Sequence, residues 1–285
     1  MKPVIGLTGT RGFIGRHIAD HFSQQNFEVI HLDPWIKPEV ALDNQFAPPA
    51  VDFVFHLAAH ASIASSFENA ISLVNRNCDS LFKALAISAR HKSVFVYFSS
   101  YVYGQPRYFP IDEEHPTEAL NPYMSSKLLG EQACRDIAKF QQFPYVILRP
   151  FLVYGPNLKE ERLVGHLFAQ FKKGEAFCID SPHPIRDYLY IEDLCALMEK
   201  IIANKKNLPN NPVFNVGSGF SCSNLELAET FRRLSKEERA IFVKGQDRRN
   251  DVFQVVPCIN KIRSFYEWTP TVNIESGISK ILFGS

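Results

Sequence analysis

Tyr123 and Lys127 stand four residues apart in a segment with helical spacing, so a helix sets them on one face. A tyrosine of ordinary pKa near 10 is only ~0.1% ionised at pH 7. Bringing it near 7 takes ~4 kcal/mol, and one positive charge ~5 Å away supplies ~3 kcal/mol at an effective dielectric of about 20. A lysine so placed makes the tyrosine a base toward an alcohol, or an acid toward a ketone. Ser99 and Ser100 lie just past the strand-like run Ser93–Phe98, and the Ser99 hydroxyl can hold the same substrate oxygen. Tyr-x-x-x-Lys is common by chance, so its weight depends on its surroundings.

A second constellation opens the chain. The apolar run Val4–Leu7 leads into Gly9-Thr10-Arg11-Gly12-Phe13-Ile14-Gly15, a G-x-x-G-x-x-G spacing. One glycine permits the tight turn, another lets the backbone approach a pyrophosphate, and Gly15 lets a helix pack on the sheet. That helix, starting near Phe13 and Ile14, points free N–H groups at the phosphates. Asp33 follows 18 residues after Gly15, at the end of a second strand. It can accept from both ribose hydroxyls of an adenosine and would repel a 2′-phosphate, which favours NAD. Arg11, in the same turn, could pair with a 2′-phosphate, so NADP is not excluded.

The elements that must position these groups follow from periodicity. Strands are expected at Val4–Leu7, Phe27–Leu32, Val51–Leu57, Ser93–Phe98 and Tyr145–Leu148, with helices over Phe13–Ser23, Ile71–Arg90 and Pro122–Phe140 between them. This rhythm argues for an α/β fold with a parallel sheet covered on both faces. After Gly155-Pro156 it loosens. Helices are expected at Val164–Lys172, Glu192–Ile202, Asn224–Leu234 (capped by Ser223) and Ile274–Leu282, and a buried strand at Pro212–Val216. Residues 1–155 form the expected dinucleotide-binding domain, with segments around 186–219 returning to it. Residues 156–285 form mainly a substrate-binding lid.

Composition narrows the function. The 285 residues are 46% hydrophobic and 21% charged, with 31 basic against 30 acidic side chains and a net charge of +1. Such a balance gives no whole-molecule attraction to nucleic acid or anionic membrane, and neither is an expected partner. The most apolar run, Val51–Ala59, is short and carries Asp52 and His56, so no membrane span and no signal peptide is read. Six cysteines without a C-x-x-C pair read as free thiols in a reducing cytoplasm. His17 and His21 have a metal-compatible spacing but no evident third ligand, and no metal site is expected.

With these residues in view, the chain resembles the extended short-chain dehydrogenase/reductases, in their NAD-dependent nucleotide-sugar epimerase/dehydratase branch. The matching segments are Thr8–Gly15, His56-Leu57-Ala58-Ala59, Ser99–Gly104, Pro122–Glu131, Leu148–Pro156, Arg186–Leu194 and Phe214–Gly219. The resemblance implies a Rossmann-type doubly wound parallel sheet with a smaller C-terminal substrate-binding domain. It implies Ser99, Tyr123 and Lys127 as catalytic residues, Leu57, Ala58 and Ala59 along the dinucleotide, and Asn77 as a structural support. Ser100, Arg186 and Arg248 are the implied substrate-binding residues, the two arginines as a clamp for a diphosphate. Arg249 rivals Arg248. Family dehydratases carry Asp-Glu after the catalytic hydroxyl, where this chain has Ser100 and Tyr101, and Leu152 replaces a common asparagine. The expected activity is therefore a nucleotide-sugar 4-epimerase of UDP-hexose type working through a transient 4-keto intermediate. The alternatives are an NAD(P)H-dependent 4-ketoreductase of a nucleotide-linked keto-deoxysugar and, last, a non-enzymatic sensor of nicotinamide nucleotides. Family members are often homodimers packed through helices of the sheet domain, including the Tyr123 helix.

Overall fold

The computed structural model describes residues 2–43, 45–61, 67–209, 212–236, 238–245 and 252–284. The chain divides into two units, the first made of Met1–Gly104, Pro116–Pro150 and Met198–Phe214, the second of Gln105–His115, Phe151–Leu197 and Asn215–Ser285.

In the first unit the expected alternation appears as β1 (Val4–Thr8), α1 (Phe13–Gln24), β2 (Glu28–His31), a 3-10 turn (Asp33–Ile36), β3 (Phe53–His56), α2 (Phe67–His91), β4 (Val94–Phe98), α3 (Pro122–Gln141) and β5 (Tyr145–Pro150). The second unit continues with β6 (Leu152–Tyr154), α4 (Leu163–Lys173), β7 (Phe177–Ile179) and β8 (Ile185–Tyr190). Then α5 (Ile191–Ala203) and β9 (Val213–Val216) each run across a boundary between the units. The chain closes with β10 (Ser221–Ser223), α6 (Asn224–Ser235), β11 (Ile241–Val243), β12 (Gln254–Val255), α7 (Asn260–Tyr266) and α8 (Ile274–Phe283).

The main sheet has the order β2-β1-β3-β4-β5-β9, and the pairs β1–β2, β1–β3, β3–β4 and β4–β5 are all parallel. Every residue of β3 and of β4 is buried, as a strand covered on both faces requires. From β1 the chain goes to one neighbour first, β2, and then crosses to the other, β3. The strand order therefore reverses beyond the ends of β1 and β3, the place where open α/β sheets bind ligands. Local chemistry sets the helix ends. Asn121 caps α3, its side chain accepting from the Met124 N–H at 2.9 Å, with Pro122 in the first turn. Ser223 and Glu226 form a capping box on α6, and Gly174 at φ 72° ends α4.

The second unit has its own small sheet, β10-β8-β12, with β6 also paired to β8, and a two-stranded sheet of β7 and β11. From sequence, the segment 186–219 is expected to return to the first domain; here Met198–Phe214 falls with the first unit, while β8 pairs with β6, β10 and β12 in the second. The loop Gln105–His115 also belongs to the second unit, where Ile111 bridges to Pro257 and its carbonyl accepts from the Asn215 side chain at 2.9 Å. No described helix is long and apolar enough to cross a membrane.

Candidate active site

The glycine turn is built as its spacing demands. Gly9 has φ +72°, and a Cβ there would stand 2.6 Å from the Ala58 nitrogen; a Cβ on Gly15 would stand 2.2 Å from the Gly9 carbonyl oxygen. The Gly12 N–H donates to that same carbonyl at 2.9 Å, closing the turn. Helix α1 then starts at Phe13 with no side-chain cap and no acidic residue in its first turn, which leaves its terminal N–H groups available to an anion. Asp33 fastens the turn from the end of β2: its carboxylate accepts from the Gly9 N–H at 2.7 Å, the Thr10 N–H at 3.2 Å and the Thr10 hydroxyl at 2.6 Å.

On the other side Thr8 ties β1 to β3. Its Oγ1 accepts from the Leu57 and Ala58 N–H groups, each at 3.2 Å, and lies 2.9 Å from His56 Nδ1. With its acceptor sites so used, the hydroxyl donates to Nδ1, which puts the His56 proton on Nε2. Burial, with Lys127 adding to it, pushes the His56 pKa down to about 3, so the ring is neutral. A cavity of about 600 Å³ opens here, bringing together Gly9, Arg11, Gly12, Asp33, Ala58 and Ala59 of the expected residues. Phe13, Ile14 and Leu57 frame the turn without lining that cavity. A dinucleotide fits: a backbone cradle that side chains would fill, an uncapped helix start and a carboxylate converge in one unit.

The second constellation lies on α3. Tyr123, Lys127 and Glu131 follow one another at intervals of four on one face. Gly130 lets that face approach β4 closely, since a Cβ there would stand 2.1 Å from the Tyr97 hydroxyl oxygen. Lys127 is buried, its Nζ donating to the Phe98 carbonyl at 2.6 Å and lying 5.7 Å from the Tyr123 ring centroid and 5.0 Å from that of Tyr97. Burial lowers the Lys127 pKa to about 8. Tyr123 is half-buried at the start of the helix. The expected Tyr–Lys pair is thus assembled.

Ser99 lies just past the end of β4 and turns inward. It is 3% exposed, and its hydroxyl donates to Glu131 Oε1 at 2.7 Å. Glu131 is itself gripped by Arg149, at 2.8 Å from Nε and 2.7 Å from Nη2, and by Arg135 at 3.0 Å. Arg149 Nη1 reaches the Tyr103 hydroxyl at 3.0 Å. Burial pushes the Glu131 carboxyl up, but the hydrogen bonds and charge of Arg149, with Ser99 and Arg135, outweigh it and hold the group ionised. Glu131 and Arg149 escaped the sequence reading, although the interval from Lys127 to Glu131 carried the signal.

Asn77, the expected support, bridges three elements. Its side chain accepts from the His60 N–H at 2.8 Å and donates to the His60 carbonyl at 3.2 Å and the Ser126 hydroxyl at 3.0 Å, joining α2, α3 and the loop after β3. In the second unit Arg186 is half-buried on β8, with Nη1 donating to the carbonyls of Ile185 at 2.9 Å and Phe253 at 3.3 Å. Its neighbour Asp187 is fully buried and accepts from the Ser218 N–H, the Ser218 hydroxyl and the Gly219 N–H at 2.6, 2.9 and 2.8 Å. Arg248 and Arg249 lie outside the described residues. His17 bonds the Phe13 carbonyl and His21 bonds Glu199, and the described residues hold no cluster of three or more His, Cys, Asp or Glu side chains able to bind a metal.

Comparison with known proteins finds matches along most of the chain. The model of the NAD dependent epimerase/dehydratase family matches residues 5–217. A Methanocaldococcus jannaschii protein named "Putative UDP-glucose 4-epimerase" is 29% identical over 98% of this chain and 97% of its own length. The dTDP-D-glucose 4,6-dehydratase of Bos taurus is 28% identical over 97% of this chain and 86% of its own. The crystal structure of UDP-glucose 4-epimerase with UDP-glucose from Thermotoga maritima shares the fold with a TM-score of 0.84, at 23% identity, covering 98% of this chain and 97% of that one.

Proposed function

The chain belongs to the NAD dependent epimerase/dehydratase family, and from that premise we propose that it is an NAD-dependent nucleotide-sugar 4-epimerase acting on a UDP-hexose. The single observation that carries the chemistry is the buried Lys127 ammonium 5.7 Å from the Tyr123 ring. At that separation a full charge is worth about 3 kcal/mol to a phenolate at an effective dielectric of about 20, most of what a working tyrosine base needs. Tyr123 takes the proton from the substrate's C4 hydroxyl and returns it after the sugar has turned over. Lys127, fixed by the Phe98 carbonyl, holds the phenolate charge. Bound NAD supplies the acceptor and donor of the C4 hydride. The glycine turn, the uncapped start of α1 and Asp33 hold its diphosphate and ribose. Ser100 and Tyr101 follow Ser99 where a dehydratase needs two acids, which supports epimerisation over elimination. Arg186 and Arg248 are the candidate partners of the substrate diphosphate. Six free thiols suit the reducing cytoplasm.

A homodimer is part of this reading. Helices α2 and α3 pack together, and Ile71 and Phe82 on α2, with Leu129 and Phe140 on α3, stay exposed. Large apolar side chains left in water on adjoining helices suit a contact with a second copy.

The test is to denature protein purified without added nucleotide, identify the released dinucleotide by mass spectrometry, and assay interconversion of UDP-hexose epimers. Near-stoichiometric NAD and interconversion are expected, because a cofactor regenerated in each cycle has no need to leave. An empty protein that consumes NADPH with a nucleotide-linked keto-sugar would replace this reading with the ketoreductase.

A further inference from the structure

The segment Ser99–Gly104 contains two serine hydroxyls, and the structure separates their roles. Ser99 is still part of the sheet, its N–H donating to the Leu148 carbonyl at 2.8 Å. Its side chain is drawn down to Glu131, which stands eight residues beyond Tyr123 on α3. Eight residues of helix rise about 12 Å. The Ser99 hydroxyl is therefore bonded to a residue that starts two helical turns beyond the base on α3. Its single proton is also spent on a carboxylate that already has a bidentate arginine.

The rest of the segment is fixed too. Tyr101 donates its hydroxyl to the Gly104 carbonyl, Val102 and Tyr103 are buried, and Tyr103 bridges to Glu118. Ser100 and Tyr101 are half-buried; Ser100 stands one residue farther out along the chain than Ser99, and its hydroxyl makes no hydrogen bond among the described residues.

We propose that Ser100, not Ser99, is the hydroxyl that holds the reacting oxygen beside Tyr123, and that Ser99 is a positioning residue locked to Glu131 and Arg149. The proposal rests on the Tyr–Lys chemistry of the preceding section. It divides the two serines: one touches substrate, and the other fixes where β4 ends, so that the next residue emerges toward the base.

The variants Ser99→Ala, Ser100→Ala and Ser100→Thr, each loaded with NAD, decide it by turnover on the UDP-hexose pair and by thermal unfolding. Ser100→Ala is expected to lose about 10²-fold in kcat with its Tm close to wild type, and Ser100→Thr to recover most of that loss. Ser99→Ala takes a donor from a buried carboxylate, so its Tm is expected to fall by about 5 °C while kcat falls less than tenfold. The reverse pattern overturns the proposal: full kcat loss at unchanged Tm in Ser99→Ala, with Ser100→Ala near wild type. A wild type that turns over no nucleotide sugar refutes the proposed activity instead. The unfolding arm needs no substrate, and a Ser99→Ala protein as stable as wild type would still sink the division of roles.

Discussion

At the scale of single residues, Lys127 shows how a site trades stability for chemistry. Its amine is buried, and burial, opposed by the charges of Cys134 and Glu131, brings it down to about 8. The unfolded chain keeps its proton up to about 10.4, so the native state carries a cost of about 3 kcal/mol at pH 7, relieved as pH rises from about 8 toward 10.4. Losing the bond to the Phe98 carbonyl costs about 1–2 kcal/mol. Lys127→Met is therefore expected to unfold no earlier than wild type at pH 7 while losing at least ~10² in turnover. Its stability advantage should shrink as melts are repeated toward pH 10; a large fall in Tm at pH 7 would refute this. His56 behaves in the opposite pH range. Folded it resists protonation down to about 3, whereas unfolded it accepts a proton near 6.5, a gap worth about 5 kcal/mol. Wild type should lose that stability as pH falls through this window, and His56→Gln should show a flatter acid limb in denaturant titrations. The types of these residues were legible in the sequence, but their orientation was not. Ser99 could be placed at a strand end, yet what turns its hydroxyl inward is Glu131, 32 residues away, clamped by Arg149.

At the scale of elements, the first unit was legible because its strands are buried on both faces and its helices carry one apolar stripe. The helix Pro122–Phe140 was expected within a residue of α3, and Ser223 was recognised as the cap of α6. The strands β6, β7, β10, β11 and β12 are two or three residues long and carry no period to read. Pairing fixes them: β8 has partners on β6, β10 and β12. The approach of α3 to β4 at Gly130 was equally hidden, since the atom that requires glycine there is the Tyr97 hydroxyl. Gly130→Ala should therefore destabilise by about 1–3 kcal/mol, despite the better helix propensity of alanine. Adding Tyr97→Phe removes the clashing oxygen and should restore part of that stability, a coupling that a double-mutant cycle in urea would measure. Additive losses would mean that the helix does not rest on that contact.

At the scale of the whole molecule, a near-neutral chain with free thiols leaves assembly to apolar contact. The exposed apolar residues Leu129 and Phe140 project from the side of α3 opposite Tyr123, Lys127 and Glu131, as a turn of 100° per residue dictates. Phe140 is 82% exposed and Leu129 54%. Leu129→Asp with Phe140→Asp should turn the proposed dimer into a monomer in sedimentation equilibrium, and an unchanged mass would remove that face as the contact. In the proposed enzyme one helix carries the acid/base pair along one edge and the proposed dimer contact along the other. If the second copy braces α3, catalysis becomes subject to mass action: specific activity should decline as the enzyme is diluted through the dimer's dissociation constant, and concentration itself would set how much of the protein is competent.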